Sequence, residues 1–229
     1  MGSYQQFLSS NFYLLGTFLL IPGSVLSLAG LPQFALLGVY FFIVATSFLV
    51  AAAIVDLFCA IRGSVGAKTE TDPEKTALIQ ETEGEVKQGG GTGSLTLLNS
   101  TVMYAVAMFI GGVLFLTASV LYLWASTANT GTWVFRVGSC SYLCGSAISL
   151  HTMHWSSEPG PVSLATKVWT FAVLQYVVGA ILYIIGGVIS QVEVPGFAVS
   201  WLMGSILFFS GSFTVSFEIF REMHEKISS

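Results

Sequence analysis

Apolar positions in this chain gather into six long runs, near 11–30, 34–60, 102–125, 133–154, 167–190 and 197–220, with the polar residues collected between them. A helix needs about 20 apolar residues to cross roughly 30 Å of hydrocarbon, and each run meets that length. The runs are continuous rather than alternating, which predicts membrane helices and not the strands of an outer-membrane barrel. The expected fold class is all-α, a polytopic membrane protein with six transmembrane helices. Connections at 30–33, 126–132 and 191–196 are short, 62–98 is long, and 155–166 is intermediate. Helices joined by short turns pair into hairpins. The chain then divides into a first hairpin over 1–61, a loop over 62–98, a second hairpin over 99–155, and a third hairpin with a short tail over 156–229.

One phrase recurs in every run: a Gly, six mostly apolar residues, then another small residue. The copies are bounded by Gly16 and Gly23, Gly38 and Ala45, Gly112 and Ser119, Gly138 and Gly145, Gly179 and Gly186, and Gly204 and Gly211. Seven residues make two helical turns, so both small side chains fall on one face. Such a face permits close helix approach inside a bilayer, where apolar bulk alone gives no reason to associate. These glycines are therefore assigned to helix packing. The phrase returns after 22, 26 and 25 residues within the three hairpins. Two helices per unit keep every unit in the same orientation, so a symmetry axis would run along the membrane normal. A pseudo-threefold bundle of three hairpins is expected, with the small-residue faces turned toward its axis.

Composition agrees with a membrane location. The 229 residues are 54% hydrophobic and 9% charged, with a mean hydropathy of +0.78, against about 25% charged in soluble domains. The first run lacks a basic leader and continues past Pro22 to Ala29, so it reads as a retained helix rather than a signal peptide. Loop 62–98 has mixed charge, few large apolar residues and a glycine-rich end, the composition of a mobile linker, with at most a short helix near 73–87. Arg62, Lys68, Lys75, Lys87, Lys167, Arg221 and Lys226 fall on one side of the six-span topology and Arg136 alone on the other. That asymmetry predicts both termini and the long loop in the cytoplasm. The sequon Asn99-Ser-Thr101 would then face the compartment where no glycan is added.

The copies at 204–212 (GSILFFSGS) and 179–187 (GAILYIIGG), each a Gly, a small residue, an apolar stretch with an aromatic, then Gly-Ser or Gly-Gly, resemble the YrhK-like family of small two-span membrane domains. The hairpin 167–220 resembles one whole domain, and the chain is similar to three such units in tandem, the first most divergent. The resemblance implies a membrane-hairpin fold and carries no activity, cofactor or catalytic residue with it. Mitochondrial carriers also comprise three hairpins, but their Pro-x-acidic-x-x-basic signature is absent here.

Ionisable groups inside spans are costly and mark candidate sites. Asp56 lies 18 residues beyond Gly38, and Glu218 lies 14 beyond Gly204, both toward the cytoplasmic ends of even-numbered helices. Together they could form a polar or ion-binding mouth. Each could instead pair locally, Glu218 with Arg221 and Asp56 with Arg62. On the fourth helix Cys140, Cys144, His151 and His154 share a stripe roughly opposite Gly138, a candidate metal face. A single ion cannot use all four, because Cys140 and His151 are about 16 Å apart at 1.5 Å per residue. Buried Cys is more often a small hydrophobe. Intramembrane Ser and Thr read as packing glue, and the five Trp near span ends as interfacial anchors.

No nucleophile–base pair is present, and the glycine run at 89–93 lacks the Lys-Ser/Thr of a phosphate loop. Enzyme activity, a cofactor and nucleic-acid binding are not expected; the partners expected are the lipid bilayer and a second copy or another membrane protein. Two function classes stay open. One is a structural or accessory membrane protein, the other a channel or facilitator for a small solute, proton or ion along the bundle axis.

Overall fold

The structure, a computed structural model, describes residues 3–27, 32–69, 90–155, 163–191 and 197–228. The described residues form long helices and no strand: α1 (Ser3–Leu26), α2 (Ala35–Thr69), α3 (Gly90–Leu121), α4 (Ala128–Trp155), α5 (Leu164–Gln191) and α6 (Phe197–Ser228). Short 3-10 turns at Pro32–Phe34 and Ala125–Thr127 lead into α2 and α4. By length and apolarity α1, α2, α3, α5 and α6 can each cross a membrane. Helix α4 is long enough at 28 residues but does not qualify on apolarity, because its Ser, Thr and His residues and Arg136 dilute the apolar ones.

Helix boundaries differ from the apolar runs at both ends of the long connection. Helix α2 continues to Thr69 and α3 begins at Gly90, so part of 62–98 is helical rather than loop. Once packed turns have nucleated a helix, each further residue adds a hydrogen bond at little cost. The short helix considered near 73–87 lies outside the described residues. Asn99 falls within α3, which places the sequon in helical backbone.

Each helix packs on its neighbours in the chain, and α1 closes on α6, so the six form a ring. Contact is most extensive within the pairs α1/α2, α3/α4 and α5/α6. Glycines account for the close approach within these pairs. A Cβ on Gly38 would lie 3.0 Å from the Gly23 carbonyl oxygen, and one on Gly204 would lie 3.1 Å from that of Gly179. On Gly16 it would come within 2.8 Å of the Ala45 carbonyl oxygen, and on Gly211 within 3.1 Å of that of Ala172. The second pair departs from the expected phrase: Gly111 meets Tyr142 and Gly138 of α4, whereas Gly112 faces Val50 of α2. Gly138 packs on Phe115, Gly145 on Met108, and Gly186 is buried.

The small-residue faces therefore meet neighbouring helices and do not turn toward the axis. In a ring of six, the distance from each helix to the centre equals the neighbour spacing, about 8–10 Å. Small residues are needed sideways, and large ones must fill the lumen to interior density. Accordingly Leu20, Phe42, Leu49, Met108, Phe115, Phe135, Tyr142, Tyr183, Trp201 and Phe208 form one buried cluster contributed by all six helices.

Ser and Thr at the small positions keep their hydroxyls satisfied by bonding one turn back, as Thr17 does to Tyr13, Thr46 to Phe42 and Ser139 to Phe135. Others bridge helices. Ser216 donates to the Ser10 carbonyl at 3.2 Å, and Tyr176 and Ser212 share a bond of 2.9 Å.

Candidate functional site

Large or polar residues reach the axis at every seventh position of each helix, and they stack in levels. At the end of the ring near both termini the level comprises Gln6, Asp56, Thr101, Ser149, Trp169 and Val215. The next comprises Tyr13, Leu49, Met108, Tyr142, Tyr176 and Phe208. A third holds Leu20, Phe42, Phe115, Phe135, Tyr183 and Trp201. At the far end Ser27, Ala35, Tyr122, Ala128 and Ser190 line an opposite recess. A strict seven-residue face stays turned to the axis only when helices wind gently left-handed about it, as membrane bundles commonly do.

Two axial cavities result. The one at the terminal end has a volume of about 210 Å³ and is walled by Tyr13, Tyr104, Trp169 and Tyr176 together with Ala105, Met108, Val173 and Ile219. The opposite recess, about 760 Å³, is lined by Tyr122, Asn129, Thr132, Trp133 and Trp201 among others. Between them the aromatic levels close the axis. Phe115 stacks on Phe135 at 4.5 Å and on Tyr142 at 4.9 Å, while Phe135 meets Tyr183 and Trp201 at 5.2 Å each. Only a void of about 10 Å³ remains there. That is about the space of one water. The Tyr142 hydroxyl, buried without a hydrogen-bond partner among the described residues, belongs to a residue lining this void, as does Tyr13, whose hydroxyl lies beside Asp56.

Asp56 is the one carboxylate among the described residues that line the terminal cavity. It accepts a hydrogen bond from Ser9 Oγ at 2.5 Å, and Ser9 also approaches the Ala52 carbonyl at 3.4 Å. Arg62, its candidate local partner, instead lies over the Phe58 ring at 4.2 Å. Among the described residues no Lys, Arg or His forms an ion pair with Asp56.

Glu218 does not join it. That carboxylate is 3% exposed, pairs with Arg221 at 2.5 Å, and is absent from the cavity lining. The position one turn earlier, Val215, faces the cavity instead.

The Cys/His stripe is divided as well. Cys140 and Cys144 are exposed on the outside of the ring, in a shallow apolar groove with Val102, Val106, Ile110 and Val137. His151 is also exposed, and the side chain of His154 lies outside the described residues. Among the described residues no three His, Cys, Asp or Glu side chains are grouped to hold a metal ion. The tryptophans split too: Trp124 and Trp133 are exposed, but Trp201 is buried on the axis and Trp169 walls the terminal cavity.

Arg136 belongs to a helix rather than a connection. It is 8% exposed, its guanidinium donates to the Gly187 carbonyl, and it lies 4.6 Å from the Trp133 ring centroid. Gly187 stands near the C-terminal end of α5, where a cation is favoured, and its carbonyl also accepts from Ser190 Oγ at 2.9 Å. A Cβ on Gly187 would meet Arg136 Cγ at 2.9 Å, so this glycine makes room for the arginine.

The aromatic wall of the terminal cavity was hidden in the sequence, because Tyr and Trp in apolar helices usually mark lipid-facing or interfacial positions. Its signal was the recurrence of Gln6, Tyr13 and Leu20, or Trp169, Tyr176 and Tyr183, at the same period as the glycines but on another face.

Neither a curated protein nor a solved structure matches this chain. Residues 100–153, the α3/α4 hairpin, match the family described as YrhK-like protein, which supports one YrhK-like domain at this hairpin.

Proposed function

We propose that the chain is a six-span membrane protein with a structural or accessory role, built as a pseudo-threefold set of three hairpins, with both termini cytoplasmic. The observation that carries this reading is the closed axis, where stacked Phe115, Phe135, Tyr142 and Tyr183 separate the two recesses. A solute crossing here would have to displace several packed rings at once. Equivalent levels drawn from α1, α3 and α5 (Tyr13, Met108, Tyr176) and from α2, α4 and α6 (Leu49, Tyr142, Phe208) support the threefold arrangement. Burial of Arg136 inside the ring leaves the described turn at 122–127 without a basic residue, which supports the proposed orientation. Assembly with a second copy or another membrane protein would use outward aromatics such as Phe213 and Phe217.

A second reading, a facilitator for a small solute, proton or ion, is favoured by the presence of an axial recess at each end. Flux decides between them. Full-length protein in proteoliposomes should leave proton and small-solute permeability at the level of protein-free vesicles. Saturable flux would overturn the accessory reading in favour of the facilitator.

A further inference from the structure

We propose that the terminal axial cavity is a binding site for a small organic ammonium ion, with Asp56 as its counter-ion and Tyr13, Tyr104, Trp169 and Tyr176 as its aromatic walls. The site goes beyond a structural role for the bundle. It does not depend on whether the axis conducts.

Three observations converge on this ligand class. The first is the carboxylate: Asp56 faces a cavity with the neutral hydroxyls of Ser9 and Tyr13 beside it and without an ion-pair partner among the described residues. A carboxylate at such a depth is costly, and a cation in the cavity would offset that cost. The second is the wall. Four aromatic side chains from α1, α3 and α5 surround the space, and aromatic faces attract cations by their quadrupole, most strongly where water is excluded. The third is volume. About 210 Å³ is enough for a compact organic ion and lies below the roughly 300–1,000 Å³ of pockets for drug-sized molecules.

A bare metal cation fits less well. Calcium or magnesium calls for six or more oxygen ligands, whereas the wall around Asp56 is mostly aromatic and aliphatic. An amphipathic ion, with one charged end and an apolar body, matches both parts of the lining. Ser9 and Tyr13, both on α1, hold the carboxylate in place with neutral hydroxyls, and its charge is left for the ligand to balance.

The test uses full-length protein in lipid nanodiscs, titrated calorimetrically with tetramethylammonium and with benzylammonium, and with benzyl alcohol and sodium chloride as controls. Saturable binding of at least one ammonium ion is expected, with benzyl alcohol binding at least about tenfold more weakly than benzylammonium. Asp56→Asn keeps an oxygen acceptor for Ser9 and should weaken ammonium binding about tenfold or more without changing the elution volume or helical content. Trp169→Leu, on α5 across the ring from α2, should weaken it severalfold. Absence of saturable binding by either ammonium ion would overturn the proposal, as would undiminished affinity in Asp56→Asn. Equal affinity for benzyl alcohol would reassign the cavity to neutral ligands, and competition by sodium at matched ionic strength would reassign it to an inorganic ion.

Discussion

Ser24 of α1 and Ser205 of α6 stand 2.8 Å apart, hydroxyl to hydroxyl, across 181 positions of the chain. Ser205 gives its own proton to the Trp201 carbonyl, so Ser24 and Tyr183 both donate to its oxygen, Tyr183 at 2.6 Å. One buried oxygen thus ties the first helix to the last and to α5. Hydrogen bonds between membrane helices average about 0.6 kcal/mol, so Ser24→Ala should cost about that much. Ser205→Ala strands two buried donors and should cost about 1–2 kcal/mol. Unfolding in mixed micelles measures both; equal losses would mean that Ser205 is not the shared acceptor.

The lateral role of the glycines separates two substitutions of the same kind. Gly16→Ala places a Cβ 2.8 Å from the Ala45 carbonyl oxygen and 2.9 Å from Leu49 Cδ2, whereas Gly63→Ala meets nothing within 4 Å. Overpacking of the first should destabilise by about 1–3 kcal/mol. The second should be neutral or stabilising by up to ~1 kcal/mol, because Ala is the better helix former. Thermal denaturation in detergent of the two variants would reveal the difference.

Arg136 and Gly187 should be strongly non-additive. Gly187→Ala drives a methyl into the Arg136 stem and should lower stability in the natural chain. In an Arg136→Ala background the obstruction is gone, and the same substitution should cost at least about 0.5 kcal/mol less. A double-mutant cycle on unfolding free energy reads the coupling. Additive losses would show that the two side chains do not compete for one space.

The aromatic closure makes a prediction about permeability. Phe115 contacts Phe135, Tyr142 and Tyr183, so truncating it opens more of the axis than removing any peripheral ring. Phe115→Ala with Tyr142→Ala should join the two recesses and make proteoliposomes leak protons or small solutes at rates the natural protein does not reach. Both residues are large and buried, and each truncation should cost about 3–5 kcal/mol. The leak must therefore be measured at a temperature where the doubly substituted protein still elutes as a single species. A tight variant of that kind would place the permeability barrier elsewhere.

Asp56 could be found in the sequence because a lone acid in an apolar helix is conspicuous on energetic grounds alone. Glu218 looked equivalent, yet a one-turn difference in register spends it on Arg221 and presents Val215 to the cavity. Trp169 and Tyr104 were illegible for a different reason. An aromatic ring is equally at home facing lipid, an interface or a packed lumen, so its type says little about its direction.

What the sequence determined by itself was local and periodic: helices long enough to cross a bilayer, short turns that pair them, and a seven-residue recurrence of small residues. Those follow from backbone hydrogen bonding in apolar surroundings and from the pitch of a helix. The tertiary structure decided which face of that period turns inward. Closure of α1 onto α6 makes the glycines lateral contacts and commits the large residues between them to the lumen. That choice depends on how many helices share the ring and how closely they approach, a property of all six together. Helical periodicity is indifferent to it, and so one repeating phrase was compatible with either an open polar axis or the aromatic closure that the six helices build.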